Sequence, residues 1–185
     1  HLVGLSMGGM IVQDFYHRFA HRAATLSLVD TSAGFGAASA EAKRDFLARR
    51  LDPLEKGLTP KDIAPGVAEV LASKYASQAV RAQLIASLSA LRIAPYKQAL
   101  HAIVTTDFRA MLPTITVPTL VIVGNEDVVT PPAASEFLAQ QIPGSSLVRI
   151  PQAGHLTNIE KPREFDAALR SFLEQHAQLA LSVSA

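Results

Sequence analysis

The sequence predicts an α/β fold, a mostly parallel β-sheet with helices on both faces, interrupted by an all-helical insertion. Three observations carry this. Short, continuously apolar runs alternate with helical patterns, as buried parallel strands joined by crossover helices require. Each run is bounded by Gly, Pro, Ser or Asp, residues that close strands and open turns. Between Gly34 and about Asp107 the strand-like runs vanish and helix signals crowd together.

The elements follow in order. His1 to Leu5 reads as a strand, and Ile11, Phe15 and Phe19 behind it recur on one helical face, with Gln13, Asp14 and Arg18 turned away. Leu26 to Val29 is a second strand. In the insertion, Val80, Leu84, Ile85, Leu88 and Leu91 form a helical stripe, and Pro53, Pro60, Pro65 and Pro95 are expected to break the region into short helices. Thr119 to Val123 and Leu147 to Ile150 are the remaining strands, and Pro131-Pro132 opens a helix between them. Phe165, Ala168, Leu169, Phe172 and Leu173 mark the inner face of a last helix that Pro162 can open. The expected division is 1–34 and 108–176 as core, 35–107 as helical insertion, and 177–185 as a fraying tail.

Composition narrows the function. The chain has 185 residues, 49% of them apolar, enough for one domain with a sizeable core. Its net charge of +1 leaves no footprint for nucleic acid or an anionic membrane. No apolar run is long enough to span a bilayer. The absence of cysteine excludes thiolate chemistry and fits a reducing cytoplasm. Charge is nevertheless uneven, with ten basic and six acidic residues between Glu41 and Leu100. Two readings stand here: a solvated helical surface, or a segment that attracts an anionic ligand.

The informative stretch is Gly4-Leu5-Ser6-Met7-Gly8, a G-x-S-x-G at a strand end with a helix behind it. A tight turn there projects the serine hydroxyl above the sheet edge, and side chains at Gly4 or Gly8 are expected to collide across it. Ser6 then sits at a helix N-terminus, where unpaired N–H groups favour negative charge and the Met7 amide can bind an oxyanion. A serine needs a base, and the base an orienting acid. The strand-end segment "VIVGNEDVVTPP" offers Glu126 and Asp127, and "VRIPQAGHLTNIEKP" offers His155. Asp30, ending "LSLVD", is the rival acid, with a turn or helix cap as its simpler role. Glu160 is expected to cap the helix that follows it. His17 and His21 share a helix face with Asp14, but a metal site needs further ligands, and no metal is expected.

From His1 to about Leu173 these segments resemble the C-terminal two-thirds of an α/β-hydrolase. "GLSMGGM" is similar to its nucleophile elbow, "VIVGNEDVVTPP" to its acid loop and "AGHLTNIEKP" to its histidine loop, in the chain order serine, acid, histidine. "GLSMGGMIVQ" with "HLTNIEKP" most resembles 3-oxoadipate enol-lactonases and related small esterases. The resemblance implies a triad of Ser6, Asp127 and His155, with Met7 in the oxyanion hole, a helical cap over 35–107 and no cofactor. It implies a small-molecule ester or lactone substrate, with a carboxylate-bearing enol-lactone as the finer expectation. Serine rather than aspartate at position 6 argues against the dehalogenase and epoxide hydrolase branches. The same triad serves carbon–carbon bond hydrolases, and a non-catalytic ligand-binding or inactive fragment is the other alternative. The resemblance further implies strands and an oxyanion loop upstream of His1. The chain is therefore expected to be N-terminally truncated, to need the missing N-terminal half as a partner, and to be inactive and poorly soluble alone.

Overall fold

A computed structural model describes residues 1–36 and 38–179. Residues 180–185, most of the expected tail, lie outside the described residues. Four strands form one parallel sheet in the order β1 (Leu2–Leu5), β2 (Leu26–Val29), β3 (Thr119–Gly124), β4 (Ser146–Ile150). Leu2 registers with Leu26, Leu26 with Thr119, and Leu120 with Ser146. The predicted runs form these strands, to within a residue at each end.

Helices cover both faces. On one, α1 (Met7–Phe19) and α6 (Pro132–Gln141) lie over Leu26, Leu28 and Val121, joined by Leu112 and Ile115 from a 3₁₀ turn. On the other, α8 (Pro162–Gln175) lays Phe165, Ala168, Leu169, Phe172 and Leu173 against Val29, Leu120, Ile122 and Ile150. Alternation of side chains along the strands assigns Leu28 and Val29 to opposite faces, so both must be apolar. That is the pattern a doubly covered sheet requires.

The face of α1 differs from the sequence reading. Gln13, expected outside, is fully buried, whereas Ile11 is 59% and Phe19 42% exposed. Met10, Val12, Gln13 and Tyr16 turn inward instead. The turn before the helix sets its rotation: Gly9 faces Thr31 so closely that a Cβ would lie 2.6 Å from Thr31 Cγ2. The buried Gln13 amide nitrogen donates to Gly9 O at 3.1 Å and Ser32 O at 3.0 Å, while its Oε1 has no hydrogen-bond partner among the described residues.

Residues 40–105 contribute α2 (Ala40–Glu55), α3 (Pro60–Leu71), α4 (Gln78–Ser89) and α5 (Ile93–Thr105). The ends of this region zip together, with Gly34 bridging Asp107, Phe35 N donating to Thr106 O at 2.9 Å and Phe108 N to Ala33 O at 2.8 Å. Ser39 and Ser77 cap α2 and α4 through their side chains, and Thr59 with Asp62 forms a capping box on α3. Two of the four prolines do not break helices as expected. Pro60 opens α3 and Pro95 sits in the first turn of α5, but Pro53 lies in the last turn of α2 and Pro65 inside α3. Pro65 and Lys61 are exposed, so the carbonyl that Pro65 cannot pair is within reach of water. Leu84 is buried as the stripe predicts, but Leu91 falls beyond the end of α4 and is exposed. No helix among the described residues is long and apolar enough to cross a membrane.

Candidate active site

Because the sheet is parallel, all four strands end at one rim, and each delivers a polar residue there: Ser6 after β1, Asp30 after β2, Asp127 after β3 and His155 after β4. That rim is where open α/β sheets bind ligands.

Ser6 sits at φ 53°, in the left-handed region that side chains rarely adopt. Such a conformation costs about 1–3 kcal/mol and persists only where surroundings enforce it. Here Ser6 N donates to Val29 O at 2.9 Å, and Thr31 Oγ1 donates to Ser6 O at 2.6 Å. A Cβ on Gly4 would come within 2.2 Å of Gly8 O, as the close turn demands. Gly8 itself has open space around its missing Cβ, so the second collision expected there falls on Gly9 instead. Met7 supplies the first N–H of α1, where a helix leaves its donors unpaired.

Ser6 Oγ lies 2.8 Å from His155 Nε2, and His155 Nδ1 lies 2.9 Å from Asp127 Oδ2. The imidazole and the acid are both nearly fully buried. Asp127 Oδ1 accepts from Val129 N at 2.8 Å and Thr130 N at 3.0 Å, and Thr130 Oγ1 donates to Oδ2 at 2.8 Å. Burial opposes ionisation of this carboxyl, but hydrogen bonds from His155 and Thr130, with the imidazole charge, hold it below its usual value. Thr130 was not singled out from sequence. Its signal is local: an Asp side chain in a turn folds back on the backbone two residues on, here Val129 N, and Thr130 follows directly.

The acid and histidine loops lie back to back. Glu126 N donates to Ala153 O at 2.9 Å, and a Cβ on Gly124 would strike Gly154 O at 2.2 Å. Glu126 is half-buried, and among the described residues the hydrogen-bond partners of the imidazole nitrogens are Ser6, Asp127 and Thr130, not Glu126.

Asp30 reaches the same rim but faces away from the imidazole. Its Oδ1 accepts from Gly124 N at 3.0 Å, and its Oδ2 from Thr157 N at 3.0 Å and Thr157 Oγ1 at 2.7 Å. Thr157 opens α7 (Thr157–Glu160), so Asp30 caps that helix from across the sheet. Burial pushes the Asp30 carboxyl up to about 6, against these hydrogen bonds and with a further push from the Asp127 charge. Glu160 does not cap the following helix; its oxygens accept from Gly154 N at 2.9 Å and Ser73 N at 3.0 Å. Among the described residues no three His, Cys, Asp or Glu side chains are grouped to share a metal ion.

A serine, imidazole and carboxylate in this series match the order and loops of one known fold, and residues 1–162 match the family described as alpha/beta hydrolase fold. The chain belongs to the α/β-hydrolase family. Among curated relatives, this chain is 30% identical over 179 residues to 3-oxoadipate enol-lactonase 2 of Acinetobacter baylyi, covering 93% of the chain and 62% of the lactonase. It is 28% identical to a pimeloyl-[acyl-carrier protein] methyl ester esterase of Chromobacterium violaceum, covering 95% of the chain and 70% of that esterase. A thermophilic esterase from Thermogutta terrifontis superposes with a TM-score of 0.81 at 31% identity, covering 94% of the chain and 64% of the esterase. The chain thus spans less than two thirds of the lactonase and of the Thermogutta esterase.

Proposed function

We propose that the intact protein is a serine hydrolase that cleaves carboxylic esters or lactones through an acyl-enzyme on Ser6. The observation that carries this is the unbroken series Ser6 Oγ, His155 Nε2, His155 Nδ1, Asp127 Oδ2, with 2.8 and 2.9 Å at its two hydrogen bonds. In this reading Ser6 attacks the carbonyl carbon as His155 Nε2 takes the hydroxyl proton. Asp127 stays ionised and stabilises the imidazolium, and the Met7 N–H stabilises the tetrahedral oxyanion. The imidazolium then gives its proton to the departing alkoxide, and water releases the acyl group with the same base. Base and acid work contributes about 10²–10⁴-fold, and an oxyanion donor about 3 kcal/mol.

Residues 35–107 serve as a cap in this reading, supported by the paired ends of that region at Ala33–Phe35 and Thr106–Phe108. A cleft of about 520 Å³ between α1 and α5 is lined by Met7, Met10, Ile11, Ala102, Ile103 and Phe108, among others. Such walls suit the apolar part of an ester.

The relative named an enol-lactonase and the basic excess of residues 41–100 support a substrate carrying a carboxylate. Three of those ten basic side chains are engaged within the region itself, Arg81 with Glu69, Lys97 with Glu55, and Arg50 over the Phe46 ring, so the support comes from the overall excess and not from these three. Turnover of an aryl ester by the intact protein, with a Ser6-bound acyl group seen by mass spectrometry, tests the main reading. No adduct, or equal turnover in Ser6→Ala, refutes it. Comparing kcat/KM for an anionic ester and its neutral analogue across ionic strength tests the finer one, which equal, salt-independent values would remove.

A further inference from the structure

We propose that Glu160 is a positioning residue, whose carboxylate ties the histidine loop to the connection between α3 and α4 and so sets the imidazole against Ser6. The inference rests on the hydrolase reading above. Its two oxygens serve two distant pieces of backbone: Oε1 accepts from Gly154 N at 2.9 Å, beside the base, and Oε2 from Ser73 N at 3.0 Å. A carboxylate bridging two amides in this way holds both strands of chain at fixed separation.

The neighbouring contacts show that the separation is tight. His155 N donates to Leu71 O at 2.9 Å, and Ser73 Oγ donates to Gln152 O at 3.3 Å. A Cβ on Gly154 would stand 2.6 Å from Ser73 N, 2.7 Å from Leu71 O and 2.8 Å from Glu160 Oε1. Glycine is therefore the residue that lets the two segments meet. Ser73 is nearly fully buried, and Arg81 Nη2 donates to its carbonyl at 2.9 Å from the other side. The loop carrying the base is thus fastened to the helical region at Gln152, Gly154 and His155. Of these fastenings, Glu160 is the one built from a carboxylate with both oxygens used. Displacement of α3 and α4 relative to the sheet therefore passes through Glu160 and Leu71 to the imidazole.

Geometry of the base governs the chemical step more than substrate affinity. Misplacement by about 1 Å is enough to cost on the order of 100-fold in rate. In Glu160→Gln the amide NH₂ would face one of the two N–H groups, breaking one arm of the bridge. In the intact protein kcat is expected to fall about 10- to 100-fold with KM changed less than about threefold. Glu160→Asp keeps the charge but reaches one amide at a time, and its kcat is expected to lie between. Slower labelling of Ser6 by a fluorophosphonate, in the same rank order, is expected alongside.

Wild-type kcat in a folded Glu160→Gln protein overturns the positioning role and leaves the hydrolase reading standing. So does a loss confined to KM, or failure of both variants to fold, which would make Glu160 a purely structural residue. Absence of turnover and of Ser6 labelling in the wild type instead refutes the hydrolase reading beneath it.

Discussion

Two carboxylates stand at neighbouring strand ends, both buried, and the molecule uses them in opposite ways. Asp30 follows β2 and Asp127 follows β3. Each accepts backbone N–H bonds and a threonine hydroxyl. Yet Asp30 is pushed up to about 6, while Asp127 is held below its usual value. The difference is the partner: Asp127 Oδ2 meets the His155 imidazole, and Asp30 meets only neutral amides and a hydroxyl. Burial raises the cost of charge at both sites; hydrogen bonds offset part of it at each, and at Asp127 the His155 imidazole, by hydrogen bond and by charge, adds what Asp30 lacks. In the proposed triad the acid is therefore defined by what it faces, not by its depth or its place at the sheet rim.

Substitution separates the two most sharply. Asp127→Asn in the intact protein is expected to lower kcat about 10⁴-fold while the fold survives, because the amide offers the imidazole the wrong hydrogen-bonding face. Steady-state kinetics with a thermal melt checks this, and a loss under tenfold would dissolve the distinction. In Asp127→Ala, Asp30 is expected to give no rescue, since it lies on Gly124 and Thr157 rather than on the ring.

Asp30→Asn reverses the pattern. One of its acceptor positions becomes a donor facing an N–H, which costs about 1–3 kcal/mol of stability. Denaturant unfolding at about pH 4, below the pH at which the buried Asp30 charge itself costs stability, is expected to show that loss. At neutral pH kcat is expected to fall far less than in Asp127→Asn.

The pH dependence of folding should also divide. A carboxyl raised on folding takes up protons, so its contribution is fully present below the unfolded value near 3.8 and is lost as pH rises through about 6. For Asp30 that loss amounts to roughly 3 kcal/mol. Asp127 works in the other direction: its contribution is present above the unfolded value and lost as pH falls through its lowered one. Unfolding free energies between about pH 4 and 7 are expected to lose a falling component in Asp30→Asn and keep it in Asp127→Asn.

Thr130→Val is the mildest test. It removes the hydroxyl that donates to Asp127 Oδ2 at 2.8 Å but leaves both backbone donors, and about 1 kcal/mol, or roughly fivefold in kcat, is expected. An effect as large as that of Asp127→Asn would show that the threonine, not the imidazole, fixes the acid.

The grouping of the candidate site residues was legible in the sequence because they lie at strand ends inside short local patterns. Leu26 to Val29 and Thr119 to Val123 announce themselves as strands by continuous apolarity, and Ser6, Asp127 and His155 follow such runs within a few residues. What stayed hidden depends on contacts far apart in the chain. The partners of Asp30, Gly124 and Thr157, lie 94 and 127 residues away, and Ser73, which Glu160 meets, is 87 residues distant. The inward face of α1 was misread because apolar spacing favoured Ile11 and Phe19, whereas the tight approach of Gly9 to Thr31 fixes the rotation. Gly8 and Gly9 were likewise indistinguishable until the path of the turn was known.

The most direct test of the central claim is fluorophosphonate labelling of the intact protein, located by peptide mass spectrometry, across four backgrounds. The adduct is expected on Ser6 in the wild type, absent in His155→Ala, strongly slowed in Asp127→Asn and close to normal in Asp30→Asn. Modification at another residue, or Asp30→Asn as slow as Asp127→Asn, would contradict the account.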